Sequence, residues 1–88
     1  MVKIKVFTHF DCHHCMKAVE LVDKMKREFR NLDVEHIDVV KNPEEAARYK
    51  ALISPTIIVE DHVFHGVPKE KDLREKIRLA ILKRREVM

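Results

Sequence analysis

Apolar and polar residues alternate through "VKIKVF" (2–7), with Val2, Ile4 and Val6 on one side, the two-residue period of a strand. From Cys12 the period lengthens. Cys15, Val19, Val22, Met25 and Phe29 recur at helical spacing with Lys and Glu between them, and Asp11 or Cys12 stands at the N-cap. "LDVEHIDV" (32–39) returns to alternation and predicts a second strand, with His36 on its exposed side. Pro43 followed by Glu44 and Glu45 predicts a helix start, because proline suits the first turn and acids suit the positive end of the helix dipole. That helix is expected to run to about Ala51. "PTIIVE" and "HVFH" predict a hairpin turning at Glu60, Asp61 and His62, after which Gly66 and Pro68 break the pattern. Leu73, Ile77, Ala80 and Ile81 mark a last helix that ends in the basic "KRRE".

The order is therefore β-α-β-α-β-β-α, an α/β fold with a four-stranded mixed sheet. The first two strands, joined by a helix, are expected to be parallel with a right-handed crossover, and the hairpin adds antiparallel pairing. Helices must cover both faces for strands this apolar to be buried. The 88 residues leave room for one domain, 1–88.

Composition narrows the function classes. Lys+Arg of 18 is nearly matched by Asp+Glu of 15, and the signs interleave in "KEKDLREKIRLAILKRREV". That pattern describes a solvated helix face rather than a nucleic-acid stripe, so no nucleic-acid partner is expected. No apolar run approaches a membrane span and no secretory signal is visible at the N-terminus, so a cytoplasmic monomer without a membrane partner is expected. High charge with one Gly, two Asn and no Gln resembles the composition of thermophile proteins.

The chemistry lies in "DCHHC" (11–15). With Cys12 at the first turn of a helix, two intervening residues bring both sulfurs to one side, near bonding distance. A disulfide closing so small a loop constrains the unfolded chain little, so a structural staple explains the pair poorly. Free helical N–H groups facing Cys12 favour thiolate over thiol and draw its pKa below the ordinary ~8.5. At pH 7 a thiol of pKa ~8.5 is about 3% ionised and one of pKa ~7 about half ionised. Intrinsic nucleophilicity falls roughly fivefold over that interval, so the net gain in attack rate is only about threefold. The larger effects are on leaving-group quality and redox poise. Cys15, on the apolar stripe, is expected to be the more buried. His13 or His14, if protonated, would stabilise the Cys12 thiolate and make the disulfide more oxidising; two solvated histidines with no electrostatic role are the alternative.

A metal- or iron–sulfur-binding module using the "CHHC" cysteines is the competing reading. Four donors in four consecutive residues do not readily converge on one ion, and the chain has no second C-x-x-C or H-x3-H cluster. His9, His62 or His65 would serve only if the fold carried them to the cysteines. No resident metal and no cofactor beyond the cysteine pair is therefore expected. His9 stands one short loop before the pair and either touches the site or faces solvent.

Taken together, "DCHHC" after the first strand, "IDVVKNPEEAARYKAL", "SPTIIV" forty residues beyond Cys15 and "HGVPKEKDL" before the last helix resemble the thioredoxin superfamily in its short, glutaredoxin-sized form. The resemblance covers nearly the whole chain. It implies a thioredoxin-like fold and thiol–disulfide exchange, with Cys12 as nucleophile and Cys15 as resolving thiol. It implies a cis Ser54–Pro55 bond packed against the dithiol, with Ser54, Pro55 and Thr56 binding an extended substrate. Phe10 and Ile53 would form an apolar rim beside Pro55, although Phe10 could equally be core. The implied partners are disulfide-containing proteins as substrates and a reductase or low-molecular-weight thiol as electron donor.

The departures are specific. Thioredoxins usually carry Trp before the first cysteine and Gly-Pro between the pair, where this chain has Asp11 and two histidines. Their buried acid and its lysine partner fall at Val6 and Val34. The Pro-Tyr and double glycine of glutaredoxins are absent, which puts glutathione binding and recognition by a standard thioredoxin reductase in doubt. Proton transfer would then fall to His13 or His14.

Overall fold

The computed structural model describes residues 1–9, 12–51 and 54–86, with side chains to Lys83. The expectations placed on Phe10, Asp11 and Ile53 lie outside the described residues. Seven elements follow the expected order: β1 (Val2–Thr8), α1 (His13–Glu28), β2 (Leu32–Asp38), α2 (Pro43–Arg48), β3 (Thr56–Val59), β4 (His62–His65) and α3 (Glu70–Glu86). The sheet runs β2-β1-β3-β4. β1 lies parallel to β2, with Val2 opposite Leu32 and Thr8 opposite Asp38. β3 is antiparallel to both β1 and β4, pairing Phe7 with Thr56 and Ile57 with Phe64.

The alternation in β1 divides the core into two layers. Val2, Ile4 and Val6 face one side, where they meet Ala18, Val22 and Met25 of α1 and Leu73, Ile77 and Ala80 of α3. Phe7 faces the other side and packs with Ile37, Ile58, Ala46 of α2 and Ala51. Helices thus cover both faces, as buried apolar strands require. Lys5 shares the Phe7 face without breaking it. Its ammonium donates to Glu45 Oε1 at 2.7 Å and to the Tyr49 hydroxyl at 3.1 Å. It also lies 4.4 Å from the Tyr49 ring centroid. Glu45 and Tyr49 stand one turn apart on α2 and its C-cap, so they reach the same cation. These bonds, Glu45 first, raise the Lys5 pKa, so the clamp stabilises the fold below the ordinary lysine range and weakens as pH rises through the shifted value.

α2 stops at Arg48, short of the expected Ala51. Lys50 sits in the left-handed region at φ 57, its N–H donating to Ala47 O at 3.1 Å, while Ala51 N–H reaches back to Ala46 O at 2.8 Å. This is a Schellman end, closed by the apolar contact of Ala51 with Ala46 in the core. The sequence concealed it because lysine, not glycine, holds the left-handed position. On the other face, the interleaved charges of α3 bind it to α1. Arg74 makes a two-pronged contact with Glu28, at 2.9 and 2.8 Å, and a longer one with Glu70 at 3.4 Å.

Candidate active site

Cys12 is the N-cap of α1, with extended backbone at φ −117 and ψ 110. Its Sγ accepts a hydrogen bond from the Cys15 backbone N–H at 3.1 Å. The sulfur therefore takes the place that a serine or aspartate oxygen fills in most helices and satisfies one of the unpaired first-turn donors. No acidic residue in the first turn competes with that field. Cys15 lies one turn in, with its Cα 5.2 Å from that of Cys12, and the two sulfurs are joined as a disulfide. Cys15 is only 5% exposed, whereas Cys12 is half-buried. The expected asymmetry between an accessible first and a buried second sulfur is present.

A cleft of about 520 Å³ opens over the pair, lined by Thr8, His9, Cys12, His13, Cys15, Met16, Val19 and Glu20. Two strips of chain build it. The end of β1 supplies Thr8 and His9, and the outer face of α1 supplies Cys12, Met16, Val19 and Glu20 at spacings of three and four. Sequence reading missed Met16 and Glu20, although their helical spacing from Cys12 marked the face they share. Met16 is 65% exposed and gives the cleft an apolar lip beside the sulfurs.

The two histidines within the motif separate. His13 lines the cleft, while the exposed His14 is not among its lining residues. His9, which sequence reading left between site and surface, belongs to the site: a ring nitrogen of His9 and both cysteine sulfurs all lie within 4.8 Å of one another. His62 and His65 stand exposed on β4 and do not belong to that cluster. His36 is exposed, but not because of the side it occupies: it shares the Leu32 and Val34 side of β2 and stands opposite Val6, which corrects the expected placement on the other side.

The Ser54–Pro55 bond is cis, as the resemblance implied. Pro55 and Thr56 are buried and Ser54 is half-buried. Thr56 opens β3 opposite Phe7, so this loop enters the sheet one residue from Thr8 at the cleft edge. The Pro55 carbonyl accepts from Gly66 N–H at 2.8 Å, and Gly66 holds φ 81, a conformation that favours a residue without a Cβ. Val6 is fully buried where thioredoxins carry an acid, so no carboxylate stands at that position behind the pair.

A family model described as a thioredoxin domain matches residues 2–78. The chain belongs to the thioredoxin family. A probable thioredoxin of Methanothermobacter marburgensis is 40% identical over 79 residues, spanning 88% of this chain and 93% of that protein. A thioredoxin of Methanocaldococcus jannaschii is 37% identical over the same shares of the two chains. Among solved structures, thioredoxin 1 of Thermosipho africanus superposes with a TM-score of 0.79 at 22% identity, covering 94% of this chain and 98% of that one. The thermophile-like composition fits the methanogen relatives. A thioredoxin-family chain whose C-x-x-C sulfurs join across one helical turn is a thiol–disulfide oxidoreductase, and the cysteine pair is its redox centre.

Proposed function

We propose that this single-domain chain reduces or exchanges disulfides of protein substrates, with Cys12 as the attacking thiol and Cys15 as the resolving one. The observation that carries the division of roles is the hydrogen bond from the Cys15 N–H to the half-buried Cys12 sulfur, against a Cys15 sulfur almost closed to solvent. A thiolate at Cys12 is held by the helix end and meets an incoming disulfide from the cleft. Its attack releases one substrate thiolate and leaves a Cys12-linked mixed disulfide. Cys15, one turn away, then displaces the second substrate thiolate and closes the intramolecular bond. Ser54, Pro55 and Thr56 would hold the substrate chain alongside, and Phe10 would complete the rim. The bound disulfide is itself the redox group, so no cofactor is required.

A reductase or a low-molecular-weight thiol would return the electrons. No described helix is long and apolar enough to cross a membrane, and a cytoplasmic site of action is part of this proposal. The test is reduction of insulin by dithiothreitol in chelator-treated buffer. Catalytic amounts of the protein are expected to bring forward precipitation of the insulin B chain, and a trace matching dithiothreitol alone would refute the assignment.

Of the two histidines in the motif, His13 is the tuning residue in this reading, because it faces the cleft and His14 does not. A protonated ring in the cleft beside the Cys12 sulfur would stabilise the reduced form and raise the reduction potential. His13→Ala is expected to shift the equilibrium with glutathione toward disulfide by about fivefold, an effect of about 1 kcal/mol, the size of one ordinary net hydrogen bond. His14→Ala should shift it less. Equal shifts in the two variants, read by thiol alkylation at fixed glutathione ratios, would remove His13 from this role.

A further inference from the structure

We propose that the reduced protein takes up one zinc ion on Cys12 Sγ, Cys15 Sγ and a ring nitrogen of His9, and that formation of the Cys12–Cys15 disulfide expels it. The inference goes beyond thiol–disulfide exchange but draws on the same cysteines. Its basis is the convergence that the linear sequence could not supply: three donors from two separate elements, all within 4.8 Å of one another. In a tetrahedral site with Zn–S of about 2.3 Å and Zn–N of about 2.0–2.1 Å, donor atoms stand roughly 3.6–3.8 Å apart. Reduction lets the two sulfurs separate toward that spacing, and the exposed His9 ring needs to move only by about 1 Å.

The chemistry of the donor set supports the ion. Two thiolates and a neutral imidazole are zinc's preferred ligands, and two thiolate charges neutralise a divalent ion with no further counter-charge. The helix end that caps the Cys12 sulfur already favours its anionic form. His9 is not a loose surface residue either. It directly follows Thr8, whose carbonyl accepts from Val39 N–H at 2.9 Å, so the strand end that carries it is tied into the sheet. The fourth position opens into the cleft beside His13, Met16 and Glu20, where water or a small ligand can complete the tetrahedron.

Uptake by the dithiol displaces the two thiol protons. A protein disulfide reverses it: the two coordinated thiolates give up two electrons and become the Cys12–Cys15 disulfide. The substrate disulfide takes those electrons and leaves as two thiolates, and the zinc ion departs for want of ligands. Zinc is thus a reversible occupant of the reduced state and holds back the nucleophile until a disulfide arrives.

The test is anaerobic titration of the fully reduced protein with zinc chloride against a chromophoric chelator, with cobalt(II) as the spectroscopic stand-in. The expected result is one ion per chain, with thiolate-to-cobalt charge transfer and the visible bands of tetrahedral cobalt, and no binding after oxidation. His9→Ala should weaken zinc binding by at least about tenfold, since even outer-sphere partners of zinc commonly contribute that much. His62→Ala, on the edge strand β4, should bind as the wild type does. Circular dichroism verifies that the variants are folded, and His9→Gln replaces His9→Ala if it is not. Equal affinity in the folded His9 variant, half an ion per chain from cysteines bridging two molecules, no binding by the wild type, or equal binding by the oxidised protein would each overturn the proposal. The titration needs no turnover, so its failure leaves the insulin result untouched, and failure of insulin reduction leaves the titration untouched.

Discussion

Cys12→Ser is expected to lower insulin-reducing turnover by on the order of 10³-fold or more, and Cys15→Ser to halt the reaction after its first half. The difference follows from where the two sulfurs sit. Cys12 is reachable from the cleft and is held by a first-turn amide, whereas Cys15 is 5% exposed and faces the core side of α1. A serine hydroxyl at position 12 still accepts the amide hydrogen, so the helix keeps its cap and the fold is retained. It cannot form the mixed disulfide, so activity goes with the nucleophile. In Cys15→Ser, Cys12 attacks and remains linked to its substrate, since nothing one turn away displaces it. Non-reducing gel electrophoresis should therefore show an adduct with Cys15→Ser and none with Cys12→Ser. An adduct on Cys15 in the Cys12→Ser variant, at a rate similar to the converse, would reverse the assigned roles.

Phe7→Ala is expected to destabilise the protein by about 3–5 kcal/mol, the usual cost of removing a fully buried phenylalanine. Phe7 lies on the central strand and is the largest fully buried side chain of the layer beneath α2, with its ring centroid 5.9 Å from that of Tyr49. Its buried neighbours there are Ile37, Ala46, Ala51 and Ile58, held on strands, on α2 and at its end, so the space the ring would leave closes only in part. For a chain of this length, such a loss is a large part of a total stability of roughly 5–10 kcal/mol. Phe7→Leu keeps most of the volume and should cost less than half as much. Urea unfolding of the three proteins measures both differences. A loss below about 1 kcal/mol for the alanine variant would mean that the α2 layer contributes little and that the α1–α3 layer alone sustains the fold.

Most of the architecture was legible because burial is periodic and chemistry is local. Val2, Ile4 and Val6 announce one sheet face, and the stripe from Cys15 to Met25 announces a helix lying on it. Helix starts were readable too, since Pro43, Glu44 and Glu45 act through the first-turn dipole and need no tertiary partner. Ends were harder. The stop of α2 depends on Lys50 adopting a left-handed backbone, and no local residue signals it. The hairpin turn likewise places Glu60 at φ 54 without a glycine to mark it. Lys5 shows the same limit in the core: a charge in a strand looks solvent-facing until Glu45 and Tyr49, forty residues on, are brought over it.

The site divides along the same line. Cys12 and Cys15 were legible because their spacing is measured along a single helix. His9 was not, because its distance from the sulfurs is set by how β1 ends beside α1. His13 and His14 are adjacent in sequence and look equivalent there, yet the 100° step between helix positions turns only His13 into the cleft. No periodicity could have distinguished them without knowing which face α1 presents to the sheet.

The atom that caps α1 is also the atom that reacts, and this ties the order of the helix end to the electron count of the cysteine pair. As a thiolate, the Cys12 sulfur grips the Cys15 amide more strongly than it does as half of a neutral disulfide. Gaining electrons therefore tightens the first turn and losing them slackens it. Reciprocity requires the reverse as well: any contact along the helix that steadies this turn also draws the couple toward its dithiol form.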